Sequence, residues 1–218
     1  MEAYPSPIAT VDVALFTLID GALHVALMRR DKPPHEGAWA LPGGFVHVDE
    51  DRDAADTAGR VLREKTGLRE LYLEQLCTFS GPERDPRGWS LSIAYYALVP
   101  AQRIQEESTT LSLYALADLP ELAFDHDRIL QAALRRLRGK SAYSSLPAFL
   151  LQEPFTLTEL QEVYECVLGE SLNRANFRQK ILGQGVVRET AEARRGQHRP
   201  AKLYRLNRRE LQELTRTI

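Results

Sequence analysis

LPGGFVHVDEDRDAADTAGRVLREKTGL, Leu41 to Leu68, sets a glycine pair ahead of a helix whose polar face is chemically mixed. From about Asp53 to Thr66, the residues Ala54, Ala55, Ala58 and Leu62 recur at helical spacing and make an apolar stripe. At 100° per residue, positions 61, 64 and 65 lie on neighbouring slopes, where three carboxylates would converge on one divalent cation. Ions of the magnesium type require several hard oxygen ligands. Here those positions hold Val61, Glu64 and Lys65, whose charges sum to zero. A unit positive charge ~4 Å from a divalent ion costs about 8 kcal/mol at an effective dielectric of ~20. Other acids nearby, Asp49, Asp51, Asp53 and Glu83, are the only obvious substitutes. No metal is expected, and no catalytic residue is assigned on this face.

Strands surround the helix. IATVDVALFTLI turns at Asp20-Gly21 into ALHVALMRR, the pattern of a hairpin. Ala38-Trp39-Ala40-Leu41 reads as a short strand stopped by Pro42-Gly43-Gly44. LYLEQLCTF and SLSIAYYALV flank the loop GPERDPRGW, and a second helix is expected from about Asp125 to Arg138. Strands interleaved with two helices make an α+β unit over residues 1–140.

The stretch GKSAYSSLPAFLLQEP, Gly139 to Pro154, contains a connector set at residues 141–155, and its Phe149, Leu150 and Leu151 are apolar enough to pack between two units. Over 156–218 the expected order is a helix capped by Thr156 or Thr158, a turn at Gly169, a helix RANFRQKIL capped by Asn173, and two strands around an arginine-rich tip. Helix, turn, helix and basic hairpin is the outline of a winged helix.

Charge supports a division of labour. The whole chain has a formal net charge of −2, yet Ser171 to the C-terminus holds 12 Lys and Arg against 4 Asp and Glu, a balance of +8. The remainder therefore carries −10 (−2 minus +8). A basic tail on an acidic body points to a polyanion partner for the tail alone. Two cysteines, Cys77 and Cys166, form no paired motif, so neither a disulfide framework nor a zinc site is expected. MEAYPSP lacks the features of a signal peptide, and no apolar run reaches membrane-spanning length, so a cytoplasmic protein without a membrane partner is expected.

The Leu41–Leu68 stretch resembles a Nudix box, G-x5-E-x7-R-E-U-x-E-E-x-G-U with U aliphatic. Gly44, Glu50, Arg60, Leu62, Glu64, Gly67 and Leu68 match it, whereas Val61 and Lys65 replace two of its acids. Nine residues separate Glu50 from Arg60 where the pattern has seven, an insertion expected to displace Glu50 from its family role. Together with AFDHDRILQAALRRLRGK, FTLTELQEVYE, NRANFRQKIL and RPAKLYRL, the degenerate box is similar to the NrtR group of Nudix-related transcriptional regulators, over Ile8 to Leu206. The resemblance implies a Nudix-like α/β/α sandwich with a mixed sheet, followed by a winged helix-turn-helix domain. It also implies a homodimeric repressor of NAD-metabolism genes that senses ADP-ribose or a related nucleotide, requires no cofactor, and binds palindromic double-stranded operator DNA. The alternative is a working Nudix pyrophosphohydrolase acting on ADP-ribose-like nucleoside diphosphate derivatives.

For the effector, Gly43 and Gly44 allow close backbone approach, Arg29, Arg30, Arg84 and Arg87 are candidate pyrophosphate partners through forked hydrogen bonds, and Asp85 is a candidate contact in the same Arg84–Arg87 loop. Glu64 borders the same cleft, and Trp39 and Phe45 stand where a base could stack. Each has a plainer reading: Arg29 and Arg30 as solvated edge charges, Trp39 as core, and Arg84, Asp85 and Arg87 as a turn that pairs with itself. For DNA, Phe177 and Ile181 are the expected buried pair of the second winged-helix helix. That leaves Asn176, Gln179 and Lys180 facing outward and Arg174 and Arg178 on the flank. Arg194, Arg195, His198, Arg199 and Lys202 populate the hairpin tip that would skirt the minor groove. A solvated charge run is the plainer reading there.

Overall fold

The computed structural model describes residues 6–194, 201–215 and 218. Arg195, His198 and Arg199 lie outside them. Strand β1 (Ile8–Ile19) occupies the middle of the first unit because it is apolar on both faces. Val11, Val13 and Leu15 point into one core, and Ala14 and Phe16 into another. A strand buried on both sides needs partners on both edges. β1 pairs antiparallel with β2 (Ala22–Arg29) and with the short β4 (Gly43–Phe45), and parallel with β6 (Ser90–Leu98). β3 (Trp39–Ala40) and β7 (Ser112–Ala115) join β2, and β5 (Tyr72–Gly81) joins β6, giving a seven-stranded mixed sheet among the described residues.

Helix α1 (Ala54–Thr66) covers one face of the sheet through Ala58 and Leu62, beside Ile104 of α2 (Ala101–Glu107). Helix α3 (His126–Ser141) covers the other through Ile129, Leu130, Ala133 and Leu137. The result is an α/β/α sandwich. Three elements escape the sequence pattern. β4 is a strand although the Pro-Gly-Gly run reads as a stop, because the glycines lie flat against β1, Gly44 opposite Val11 and Gly43 opposite Asp12. α2 buries only Ile104 and so has no apolar stripe, and β7 is four residues long. The second expected helix begins at His126 and runs on to Ser141 rather than ending at Arg138.

The winged unit consists of α4 (Leu157–Leu168), α5 (Arg174–Gly183), β8 (Val187–Arg194) and β9 (Ala201–Leu206). Thr156, not Thr158, caps α4, in a reciprocal capping box with Glu159. The Asn173 side chain accepts from the amides of Ala175 and Asn176 to start α5. Phe177 and Ile181 are buried against Leu160, Tyr164 and Tyr204.

The two units share apolar contacts. Val163 and Val167 of α4 enter the same core as Leu130, Ala133 and Leu137 of α3. The connector supplies a 3-10 helix, Leu146–Leu150, whose Leu146 and Leu150 face that core while Ala148 faces the winged one. Ser145 exchanges hydrogen bonds with Gln212, Leu214 donates to Tyr143, and the Tyr164 hydroxyl donates to the Ser144 carbonyl at 2.7 Å. Among the described residues no helix is long and apolar enough to cross a membrane.

The register of α1 is set by a buried ion pair. Arg60 Nε and Nη2 each donate to one oxygen of Asp51, both at 2.7 Å, with the two side chains 9% and 3% exposed. Arg60 Nη2 also donates to the Phe45 carbonyl, which fastens α1 to the end of β4. Glu50 is exposed and its partner is His47, so Asp51 has taken the place that the insertion denies to Glu50.

Two predictions follow from this packing. Leu137→Ala should cost ~2–5 kcal/mol, as buried leucine truncations do, and because both units bury residues against α3, urea denaturation should still give one transition for the pair. The Arg60 hydrogen bonds hold the Asp51 carboxyl well below the usual carboxylate range. A depressed folded-state value stabilises fully above the ordinary carboxylate pKa of about 4 and is lost as pH falls towards the folded value. Wild type should therefore exceed Asp51→Asn in urea midpoint at neutral pH, and the difference should shrink steadily below about pH 4.

Candidate functional site

Beneath β4 lies a polar cluster that begins with a carboxylate inside an apolar strand. Asp12 is 6% exposed. Ser92 Oγ donates to its Oδ2 at 2.6 Å, and His126 Nε2 lies 3.5 Å from its Oδ1. The Leu41 amide donates to His126 Nδ1 at 3.0 Å, so the neutral imidazole carries its proton on Nε2, facing Asp12. Burial pushes the His126 pKa down, which favours that neutral form. Gly43 closes the roof: a Cβ there would stand 1.9 Å from Asp12 Oδ1. No side chain can replace it without displacing the buried carboxylate.

Arg84 enters this cluster from the β5–β6 loop. It is turned inward, donating to both oxygens of Asp125 at 3.1 and 2.7 Å and to Ser90 Oγ at 3.4 Å, with Asp12 4.0 Å away. Arg84, a candidate pyrophosphate partner by sequence, has its Nε and Nη2 fork already occupied by a carboxylate. Asp85, also buried, pairs with Arg87 instead, so the loop is in part a turn that binds itself. The Arg87 guanidinium lies over the Phe45 ring at 5.1 Å, and Phe45 is exposed.

Arg30 completes the group. Its guanidinium covers the Phe124 ring at 4.7 Å and donates to the carbonyls of Pro34 and Lys32. Partial burial lowers its pKa, and the nearby Arg87 charge lowers it further. Asp85 acts the other way on Arg87, whose pKa it raises, so it is at Arg30 that a further anion would relieve a cost. Arg29 and Trp39 fall elsewhere: Arg29 covers the Trp39 ring at 5.1 Å, and Trp39 packs edge-on to Tyr114 against the sheet core.

A cavity of about 1190 Å³ opens beside the cluster, with Arg84, Asp85, Phe124, Asp125 and Arg128 in its walls. Sequence reasoning passed over Asp12, Ser92, Phe124, Asp125 and His126. The available signal was Asp12 itself, an acid in the middle of an otherwise apolar strand, which must find partners when buried.

On α1, Val61 is 1% exposed, and a Cβ on Gly44 would lie 3.0 Å from its Cγ2, so helix and strand are in close contact there. Glu64 is exposed and lies 3.4 Å from Arg60 Nη1 and 3.9 Å from Arg63 Nη2. Lys65 is exposed beside it. Among the described residues no three His, Cys, Asp or Glu side chains are grouped as a metal would require.

In the winged unit, α5 exposes Arg174, Asn176 and Gln179, while Arg178 and Lys180 are half-buried. Arg174 approaches Thr158 Oγ1 at 3.5 Å, and Arg178 Nε is buried with no hydrogen-bond partner among the described residues. Arg194 donates to Glu159, the acid of the capping box, and Lys202 to Glu189 on the neighbouring strand at 2.9 Å. Both hairpin cations thus have acidic partners within the chain.

Known proteins match this arrangement along its length. The model of the NUDIX domain matches residues 9–137, and that of the NrtR DNA-binding winged helix domain matches 147–206. An ADPR responsive transcriptional repressor of Acinetobacter baylyi is 44% identical over 208 residues, covering 93% of this chain and 83% of that protein. The crystal structure of Shewanella oneidensis NrtR complexed with a 27mer DNA superposes with a TM-score of 0.88 at 37% identity, over 96% of this chain and 99% of that one. The NUDIX domain of the same protein complexed with ADP ribose gives a TM-score of 0.56 at 40% identity, over 62% of this chain and 90% of that one. With both domain models in order and a relative this similar over most of its length, the chain belongs to the NrtR group of Nudix-related transcriptional regulators.

Proposed function

We propose that this protein is a homodimeric transcriptional repressor whose Nudix unit binds ADP-ribose or a related nucleotide and whose winged helix binds palindromic operator DNA, with NAD-metabolism genes as the targets that the family resemblance implies. One observation carries the reading: a Nudix helix that presents Val61, Glu64 and Lys65 is joined, through a shared core, to a winged helix that exposes Asn176 and Gln179. The relatives that bind DNA and ADP ribose support both halves.

The box residues do not fit a divalent metal. Val61 is buried against Gly44 and offers no oxygen, and Glu64 is flanked by two arginines and Lys65. What remains suits a receptor. Arg30 and Arg87 supply positive charge for a pyrophosphate, and Phe45 and Phe124 supply aromatic faces for a base. On DNA, α5 would enter the major groove, where Asn176 and Gln179 have the paired donor and acceptor that match adenine. Two copies would meet half-sites about one helical turn, ~10 bp, apart. To act as an effector, the nucleotide must bind the form that releases DNA more tightly than the form that holds it.

Mobility-shift titration on the promoter beside the protein's own gene should give a sequence-selective complex that ADP-ribose weakens. Incubation with ADP-ribose and magnesium or manganese should give binding without multiple turnover; steady release of AMP would establish the hydrolase instead. Asn176→Ala should cost ~1–3 kcal/mol on the preferred site and relax sequence choice. An equal loss on all sequences, measured by competition at fixed salt, would remove Asn176 from base reading.

A further inference from the structure

Helix α3 starts without a side-chain cap although Asp125 stands at its N-cap position. Aspartate is among the best residues for that place, because its carboxylate can accept from amides of the first turn. Here the Asp125 backbone, at φ −103° and ψ 29°, lies outside the extended region that capping uses. Both of its oxygens are committed to Arg84. Phe124, the residue before it, has φ +56°, a conformation that bulky side chains rarely adopt. The ion pair therefore holds the start of α3 in a form that the local sequence disfavours. It does so in the wall of the large cavity, where Arg84, Phe124, Asp125 and Arg128 all lie.

Resting on the effector reading above, we infer that Asp125 stands in for the ligand: a phosphate oxygen of the bound nucleotide takes the Arg84 fork, and Asp125, released, turns to cap α3. A guanidinium fork accepts carboxylate and phosphate in the same geometry, so the exchange is between like partners. Exchange is favoured over sharing: Asp125 holds the Nε and Nη2 edge, and a phosphate added at Nη1 would place a further anion on one cation with Asp12 already 4.0 Å away. Once freed, the Asp125 oxygen satisfies an amide of the first turn, and the Phe124–Asp125 backbone relaxes. The consequence reaches the DNA unit because Leu130, Ala133 and Leu137 of α3 pack with Val163 and Val167 of α4. Ligand-free, uncapped α3 belongs to the operator-binding form, and capped α3 to the released form.

The test uses the full chain, operator DNA and ADP-ribose, with inorganic pyrophosphate as the bare-anion probe. Asp125→Asn removes the competing charge and keeps a capping oxygen, so it should tighten ADP-ribose and pyrophosphate roughly 5-fold or more and weaken operator binding without ligand. Arg84→Gln also frees Asp125 and should weaken operator binding in the same way, but it should loosen both ligands and abolish the DNA response. Opposite effects on ligand and like effects on DNA are the signature. In wild type, where neither variant's folding matters, ADP-ribose should slow hydrogen exchange at the Asp127 amide. If wild type answers ADP-ribose at the operator while that amide exchanges unchanged and Asp125→Asn binds ligand as wild type does, this inference falls and the effector reading stands. If wild type binds no ADP-ribose, both fall.

Discussion

Helix α3 has to satisfy two neighbours with one apolar surface, and the rest of the molecule is arranged around that demand. Ile129, Leu130, Ala133 and Leu137 are all nearly or fully buried, and they close the sheet core on one side while meeting Val163 and Val167 of α4 on the other. Close-packed interiors do not deform continuously; they change by exchanging one packing for another. The polar side of α3 is clamped too: Glu74 on β5 receives Arg136 and Lys140 from α3 and the hydroxyls of Tyr72 and Tyr96 from the sheet. Tyr72 in turn stacks on Phe149 of the connector at 4.9 Å. The C-terminal half of α3 is thereby fixed to both units, and the freedom that remains is at its first turn, next to the cavity.

The electrostatics of the two faces of the sandwich differ in a way that accounts for what the site can hold. On the α1 face the buried cation, Arg60, is held by Asp51 and the Phe45 carbonyl, and the next carboxylate, Glu64, lies between arginines. Positive charge there is balanced, and no converging set of oxygens is left over. Around Arg30 the charges are also matched, Arg84 and Arg87 lying against Asp125, Asp12 and Asp85. Arg30 is partly desolvated and feels its neighbour's charge, so an incoming anion relieves a cost that already exists. Carboxylates on both faces are thus held by guanidinium groups rather than left free to converge on a metal, which fits the proposed receptor.

Much of the architecture was legible because strong local signals agreed with the global fold. The two-faced apolarity of Ile8–Ile19, the Asp20-Gly21 turn and the cap at Asn173 each had one physical outcome. By contrast, the α4 cap stood open between Thr156 and Thr158, and in the α1 stripe Val61 is buried and Ala55 exposed. The winged unit was read correctly down to its buried pair, Phe177 and Ile181, since a short amphipathic helix has few ways to face a core. What escaped was of two kinds. β4, β7 and α2 are short elements made by tertiary pairing, and Ile104 alone cannot announce a helix. The site was harder, because its partners are joined across long separations: Asp12 meets Ser92 and His126, and Arg84 meets Asp125, across 80, 114 and 41 residues. Spacing rules see neighbours on one element. They do not see a carboxylate on a strand meeting an imidazole at the start of a distant helix.

The insertion in the box shows how a fold absorbs a change that its motif forbids. Two extra residues before Arg60 would have left that guanidinium buried and unpaired, which costs several kcal/mol. Instead the longer loop brings Asp51 under the helix, where the His47 amide and the Thr57 hydroxyl complete its hydrogen bonds. Glu50, whose spacing from Gly44 fits the family, ends in solvent. What this fold satisfies is therefore the Arg60 guanidinium, with Asp51 rather than Glu50 as the acid that pairs with it. With that clamp preserved, α1 stays seated on β4 and Gly43 stays over Asp12, whether or not positions 61 and 65 carry charge. The scaffold of the cleft is thus separable from the charges at positions 61 and 65, and the cavity walled by Arg84, Arg128 and four carboxylates does not depend on them, as the proposed receptor requires.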